Sequence, residues 1–239
     1  MTNSPALSLD AVDVRAYGRD IVRNFTLSMS PGELVAVVGH NGAGKTTALK
    51  GIAGLLPMSG NASFCGQPLR NRSAAQRARA GIVLLPDGGS GVFPTLTVAE
   101  NLRISARGRH WNHHAPEDET DRMIARIAPF MADRQKQLAG TLSGGQRQIL
   151  ALSCALRMAP RLLLLDEPSI GLAPRVVEDF LTGVKDAVEN LGVGAILVEQ
   201  QLGAVLEVAD RVLILKEGAV VASYRAPNYP DVEDLWEHF

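Results

Sequence analysis

Two glycine-rich stretches of this 239-residue chain have the residue types needed to hold phosphate. GHNGAGKTT, Gly39 to Thr47, fits G-x-x-x-x-G-K-[ST] through Gly39, Gly44, Lys45 and Thr46. An apolar run, LVAVV, precedes it and a helical pattern follows. In that context backbone N–H groups wrap a phosphate, the lysine reaches the β- and γ-phosphates, and the threonine hydroxyl ligates Mg2+. His40, Asn41, Gly42 and Ala43 make up the wrap, and Thr47 adds a phosphate contact. The second stretch is LSGGQ, Leu142 to Gln146, followed by the helix-like QRQILALSCAL. Its glycines let backbone N–H groups approach an anion, and a helix N-terminus adds partial positive charge. One small protein thus carries two phosphate-binding ends about a hundred residues apart.

RLLLLDEP supplies carboxylates to go with the first loop. A buried strand brings Asp166 to its C-terminal end, where ligands sit in open α/β sheets. Asp166 would hold Mg2+ directly or through water, and Glu167 would polarise an attacking water as general base. Adjacent carboxylates repel, which raises the pKa of one of them. A metal on Asp166 offsets that repulsion and keeps Glu167 ionised.

The elements that must position these groups follow from pattern. Leu7 to Val14 and Ile21 to Met29 alternate loosely and read as peripheral antiparallel strands. Leu34 to Val38 and Gly81 to Pro86 are continuous apolar runs suited to strands buried on both faces. Gly44 to Leu56 reads as a helix, and so does the second half of VFPTLTVAENLRI. Arg107 to Thr120 reads as an exposed loop, and Asp121 to Ala132 and Gly144 to Met158 show helical spacing. Strand and helix then alternate: RLLLLD, a helix from about Arg175 to Asn190, AILVE, a short helix from about Leu202, and VLILK paired with AVVAS. A short acidic helix closes the chain. This alternation predicts an α/β fold with a mostly parallel core sheet, an antiparallel β subdomain, and a helical subdomain inserted at about residues 88–158 of one domain spanning 1–239.

Bulk properties narrow the function. Lys plus Arg is 24 and Asp plus Glu is 25, so the net charge of −1 lacks the basic surplus of a nucleic-acid binder. The N-terminus lacks the basic and apolar regions of a signal peptide, and the longest apolar runs are too short to span a bilayer. Cys65 and Cys154 are far apart with no metal spacing and read as buried or idle thiols. HWNHH, His110 to His114, has loose spacing without cysteine or acid partners, and reads as a solvated loop with Trp111 against the helices.

The order phosphate loop, LSGGQ, then LLLLDEP resembles the nucleotide-binding subunit of the ATP-binding cassette (ABC) transporter family, over about Leu7 to Ser223. VFPTLTVAENL, SIGLAP and VEQ resemble the branch that imports branched-chain amino acids and amides. The resemblance implies a P-loop ATPase working with MgATP, with two cassettes stacked head to tail. Ser143, Gly144, Gly145 and Gln146 of one would touch the γ-phosphate held by the other. Tyr17 matches the aromatic that stacks on adenine. Asp87 falls at the loop, usually glutamine or glutamate, that contacts Mg2+ or water and links the site to a membrane partner. Ser169 to Pro174 matches the loop that crosses the dimer seam. Gln200 falls where most members carry a switch histidine, and glutamine cannot become a cation at neutral pH.

The expected partners are a second cassette (a copy or a paralogue), a transmembrane permease and a solute-binding protein, with no nucleic acid. The expected place is cytoplasmic, peripheral on the inner face of the membrane. Two other readings stay open: a soluble ABC ATPase of DNA repair or translation, and a regulatory subunit that binds ATP but hydrolyses it weakly.

Overall fold

The computed structural model describes residues 6–87, 91–108, 116–200, 202–230 and 235. The chain opens with β1 (Leu7–Ala16) and β2 (Arg19–Met29), paired antiparallel across the Tyr17–Gly18 turn. Every strand residue of β3 (Leu34–Val38) is buried, as its unbroken apolar run requires. Then come α1 (Lys45–Ala53), β4 (Met58–Phe64), β5 (Gln67–Pro68), α2 (Ala74–Arg79) and β6 (Ile82–Leu85). Three helices follow: α3 (Val98–Ala106), α4 (Glu117–Ile127) and α5 (Gly144–Arg157). The remainder alternates β7 (Leu162–Asp166), α6 (Pro174–Leu191), β8 (Gly194–Glu199), α7 (Leu202–Leu206), β9 (Arg211–Lys216) and β10 (Ala219–Arg225).

Two sheets result. One is antiparallel, in the order β2-β1-β4-β5; the other runs β10-β9-β3-β8-β7-β6 and is parallel except for the edge strand β10. Side chains of β3 alternate between two cores. Val35 and Val37 pack with Leu9, Val14, Phe25 and the α1 residues Leu49 and Ile52, while Leu34, Ala36 and Val38 pack with Phe180, Val184 and Leu152 of the helices on the other face. A third cluster of Val98, Ile124, Met131, Leu142, Leu150 and Cys154 joins α3, α4 and α5 to one another.

Several expectations shift. The fourth helix starts at Glu117 inside the expected loop and ends at Ile127, because Pro116 and three acids in its first turn make a good helix start. Phe130 and Met131 then fall in a separate 3-10 turn. β4 and α2 have no counterpart in the apolar pattern. β4 is read from its ladder to β1, and α2 from the Ser73–Gln76 capping box. Of the two thiols expected to be buried or idle, Cys65 is free and exposed, and Cys154 is free and buried, its thiol pushed up to about 11 by burial. His110–His114, residues 88–90 of the glycine-rich stretch, and the acidic C-terminal helix apart from Leu235 lie outside the described residues.

Arg77 secures the far end of the helix that carries the phosphate loop. It is only 5% exposed, and its guanidinium donates to the carbonyls of Gly51 (2.8 Å), Ile52 (3.0 Å), Leu69 (3.0 Å) and Arg72 (3.1 Å). Two of these are C-terminal carbonyls of α1, where the helix dipole favours a cation. Burial lowers the Arg77 pKa, yet the hydrogen bonds still need the charged donor. Arg77→Met keeps the stem and strands those carbonyls. We expect a loss of about 3 kcal/mol and a fall in Tm of about 6–12 °C by calorimetry. A shift below about 2 °C would show that the carbonyls find other donors.

A candidate nucleotide site at the ends of four parallel strands

Neighbouring strands β3, β8, β7 and β6 end side by side, and each hands residues to the same edge of the sheet. β3 leads into Gly39–Lys45, β8 into Gln200, β7 into Asp166 and Glu167, and β6 into Asp87. Sequence order scatters these groups; sheet order gathers them.

The phosphate loop is tied to the backbone of a hairpin, which is tied in turn to β2. Gly218, in the β9–β10 turn, donates its N–H to Ala43 O (2.9 Å), and Ala43 N–H closes the loop on His40 O (3.1 Å). The Gly218 carbonyl accepts from Arg23 N–H (2.8 Å) on β2. Gly39 lies so close that a Cβ there would overlap the Leu215 carbonyl oxygen. His40 and Ala43 therefore face the hairpin and line a depression with Leu215, Lys216 and Glu217. Gly44, at φ 103°, caps α1 and turns the first amides of that helix outward. Such first-turn amides have no carbonyl four residues back and are free to meet an anion.

On the other side of the loop lies a depression of about 360 Å³, lined by Tyr17, Ile21, Asn41, Gly42, Gly44, Lys45, Thr46, Thr47 and Glu167. Tyr17 is fully exposed at its mouth, in the left-handed region at φ 52°. Lys45 is 4% exposed and donates from Nζ to Gly39 O (2.7 Å) and His40 O (3.2 Å), with Glu167 Oε1 at 3.3 Å. Thr46 Oγ1 donates to Asp166 Oδ1 at 2.7 Å. This pair of hard oxygens, beside the loop amides, suits Mg2+, which binds through one or two protein oxygens and keeps waters and phosphate for the rest.

Glu167 is held at several points. Its backbone sits at φ 43°, an unusual region for a residue with a side chain, and its N–H donates to Val198 O (3.0 Å). Gln200 Nε2 donates to its Oε2 at 2.9 Å. Sequence reasoning did not anticipate this bond. The Asp166 carboxyl is raised above the usual range by burial first. The Thr46 hydrogen bond opposes this, and the negative charges of Glu167 and Asp87 add to it. Carboxylate repulsion is real here but ranks behind desolvation. It also places Asp87, itself exposed, close enough to Asp166 to act on it.

LSGGQ stands apart. Ser143 caps α5, its Oγ accepting from Gln146 N–H (3.3 Å) while Gln146 Oε1 accepts from Ser143 N–H (3.2 Å). Gly145 is required by packing, since a Cβ would come within 2.6 Å of Val176 Cγ1, whereas Gly144 faces open space. None of Ser143 to Gln146 lines the depression at the phosphate loop.

A G-x-x-x-x-G-K-T loop leaving the central strand, with a threonine–aspartate oxygen pair and a glutamate beside it, fits a P-loop nucleoside triphosphatase. The family model described as "ABC transporter" matches residues 22–170. Among similar proteins, the high-affinity branched-chain amino acid transport ATP-binding protein BraG of Pseudomonas aeruginosa is 35% identical over 90% of this chain and 91% of its own length. The probable branched-chain amino acid transport ATP-binding protein LivF of Archaeoglobus fulgidus is 37% identical over 78% of each chain. Among solved structures, the ADP conformation of MJ1267, an ATP-binding cassette of an ABC transporter, superposes with a TM-score of 0.79 at 23% identity over 98% of both chains. The chain belongs to the ABC transporter family; it is an ATPase whose ATP hydrolysis is coupled to transport. Among the described residues no helix is long and apolar enough to cross a membrane.

Proposed function

We propose that this chain binds MgATP in the depression at Gly39–Thr47, closes over it with a second cassette, and drives a permease that imports amino acids or related small polar solutes. One observation carries the two-cassette reading: Ser143 and Gly144 at the LSGGQ end of α5 are exposed, and none of Ser143 to Gln146 lines the phosphate-loop depression. Two anion-binding ends that do not meet within one chain fit a nucleotide shared between two. The relatives named for branched-chain amino acid transport support the choice of solute.

Lys45 and the loop amides would hold the β- and γ-phosphates, Thr46 and Asp166 the Mg2+, and Tyr17 the adenine by stacking. Mg2+ would neutralise charge on the phosphates. Lys45 Nζ also lies 3.3 Å from Glu167 Oε1. A phosphate that claimed the ammonium would leave that oxygen to accept a proton from water, while Gln200 keeps hold of the other. In this reading residues 1–239 form one cassette, with the helices at about 88–158 inserted between β6 and β7 as the surface that meets the permease. The chain then works at the inner face of the membrane, with a solute-binding protein delivering cargo outside.

Asp87, close to Asp166 and at the entry to those helices, would link metal to permease. Asp87→Ala is expected to lower permease-stimulated turnover about tenfold while ATP binding stays near native, since a water-mediated contact is lost and the phosphate loop is untouched. Unchanged turnover and transport in that variant would remove Asp87 from the mechanism. The reading as a whole is tested by ATPase assay of the purified chain with and without permease, and by uptake of a branched-chain amino acid into vesicles bearing the assembled transporter. ATP binding without turnover in either state favours the regulatory-subunit reading, for which Asp87 in the place of a glutamine or glutamate and Gln200 in the place of a histidine are the sequence features. Turnover without uptake returns the solute to question.

A further inference from the structure

Glu199, the last residue of β8, is 2% exposed. Both its oxygens are used. Oε1 accepts from Ser169 N–H at 2.9 Å; Oε2 accepts from Ser169 O–H at 2.7 Å and from Gln200 N–H at 3.3 Å. All three donors are neutral. Among the described residues no lysine or arginine pairs with this carboxylate. A buried carboxylate without a cation is costly, and neutral side chains could fill the same space more cheaply. Two oxygens that accept only are the chemistry that three converging donors require.

The donors belong to the two segments that flank Glu167. Ser169, itself 4% exposed, lies two residues beyond Glu167 and begins the loop Ser169–Pro174 that leads into α6. Gln200 donates to the Glu167 side chain. We propose that Glu199 is a positioning residue for hydrolysis: its carboxylate ties the loop after Glu167 to the segment beginning at Gln200, and so fixes the aim of Glu167 and the course of the loop beyond it. The proposal rests on the reading of Glu167 as general base. Glu199 touches neither nucleotide nor water in it. Holding the two segments together fixes the Gln200 amide against Glu167 Oε2, and a shift of about 1 Å at a catalytic group costs on the order of a hundredfold in rate.

Glu199→Gln is the discriminating change. Whichever way its amide is turned, one N–H faces another N–H, either that of Ser169 or that of Gln200, so one tie breaks while volume is kept. Burial pushes the Glu199 carboxyl up, opposed by its Ser169 and Gln200 bonds. Expected are a kcat at least tenfold lower, ATP affinity near native by equilibrium titration, and a Tm within a few degrees of native. Ser169→Ala removes one tie from the other side and should lower kcat similarly. In the double variant the losses should not multiply, because both changes break one link.

A kcat within about twofold of native in folded Glu199→Gln, beside an active native chain, overturns the positioning role and leaves the base reading intact. Losses that multiply in the double variant also overturn it. A native chain that binds ATP without turning it over overturns the hydrolysis reading instead. If Glu199→Gln does not fold, Ser169→Ala decides: a native kcat there overturns the proposal.

Discussion

Glu167→Gln is expected to bind ATP about as well as the native chain while turnover falls by about 10²–10⁴-fold, the range for removing a general base. The amide keeps the size of the carboxylate, so it can still accept the Gln200 hydrogen bond, seen at 2.9 Å to Oε2. It cannot take a proton from water at neutral pH. The groups assigned to phosphate and metal, Lys45, Thr46 and Asp166, are untouched. Lys45 loses a partner seen only at 3.3 Å, and bound phosphate would claim that ammonium in either variant. Single-turnover kinetics with ATP titrated separately measures both quantities. Turnover within about tenfold of native would mean that another group takes the proton.

Gly39→Ala should have the second large effect, through backbone rather than chemistry. The new methyl would overlap the Leu215 carbonyl oxygen and lie 3.2 Å from Ala43 Cβ. Neither neighbour is the free end of a flexible side chain, so the phosphate loop or the β9–β10 hairpin must move. The bond from Gly218 N–H to Ala43 O at 2.9 Å, which sets the loop against the hairpin, is the contact at risk. We expect ATP affinity to fall at least tenfold, about 1.4 kcal/mol or more, in a nucleotide titration. Gly203→Ala is the matched control, because a Cβ there meets nothing within 4 Å at a helical position. Native affinity in Gly39→Ala would mean that the loop does not depend on the hairpin.

Much of the site was legible because its chemistry is local. Gly39 to Thr46 is one turn entering one helix, and Asp166 and Glu167 sit together at the end of one apolar strand. The parallel core was equally plain from buried runs such as Leu162–Leu165. What escaped was set by neighbours far away in sequence. The order β3-β8-β7-β6 brings Gln200 beside Glu167 and Glu199 beside Ser169, and apolar runs carry no label for which strand lies next to which. β4, with the exposed Ser59, Gly60 and Asn61, lacks a buried alternation and exists as a strand through its ladder to β1. The hairpin behind the phosphate loop left only a trace, a glycine at 218 in the turn, because its role is played by backbone atoms.

The separation of Ser143–Gln146 from the phosphate loop within one chain leads to a single decisive quantity, the particle mass with ATP present and hydrolysis blocked. Glu167→Gln saturated with MgATP should scatter light as a pair of chains, and as a single chain once nucleotide is removed. Single chains at saturating MgATP, with the permease supplied as well as without it, would contradict a nucleotide held between two cassettes.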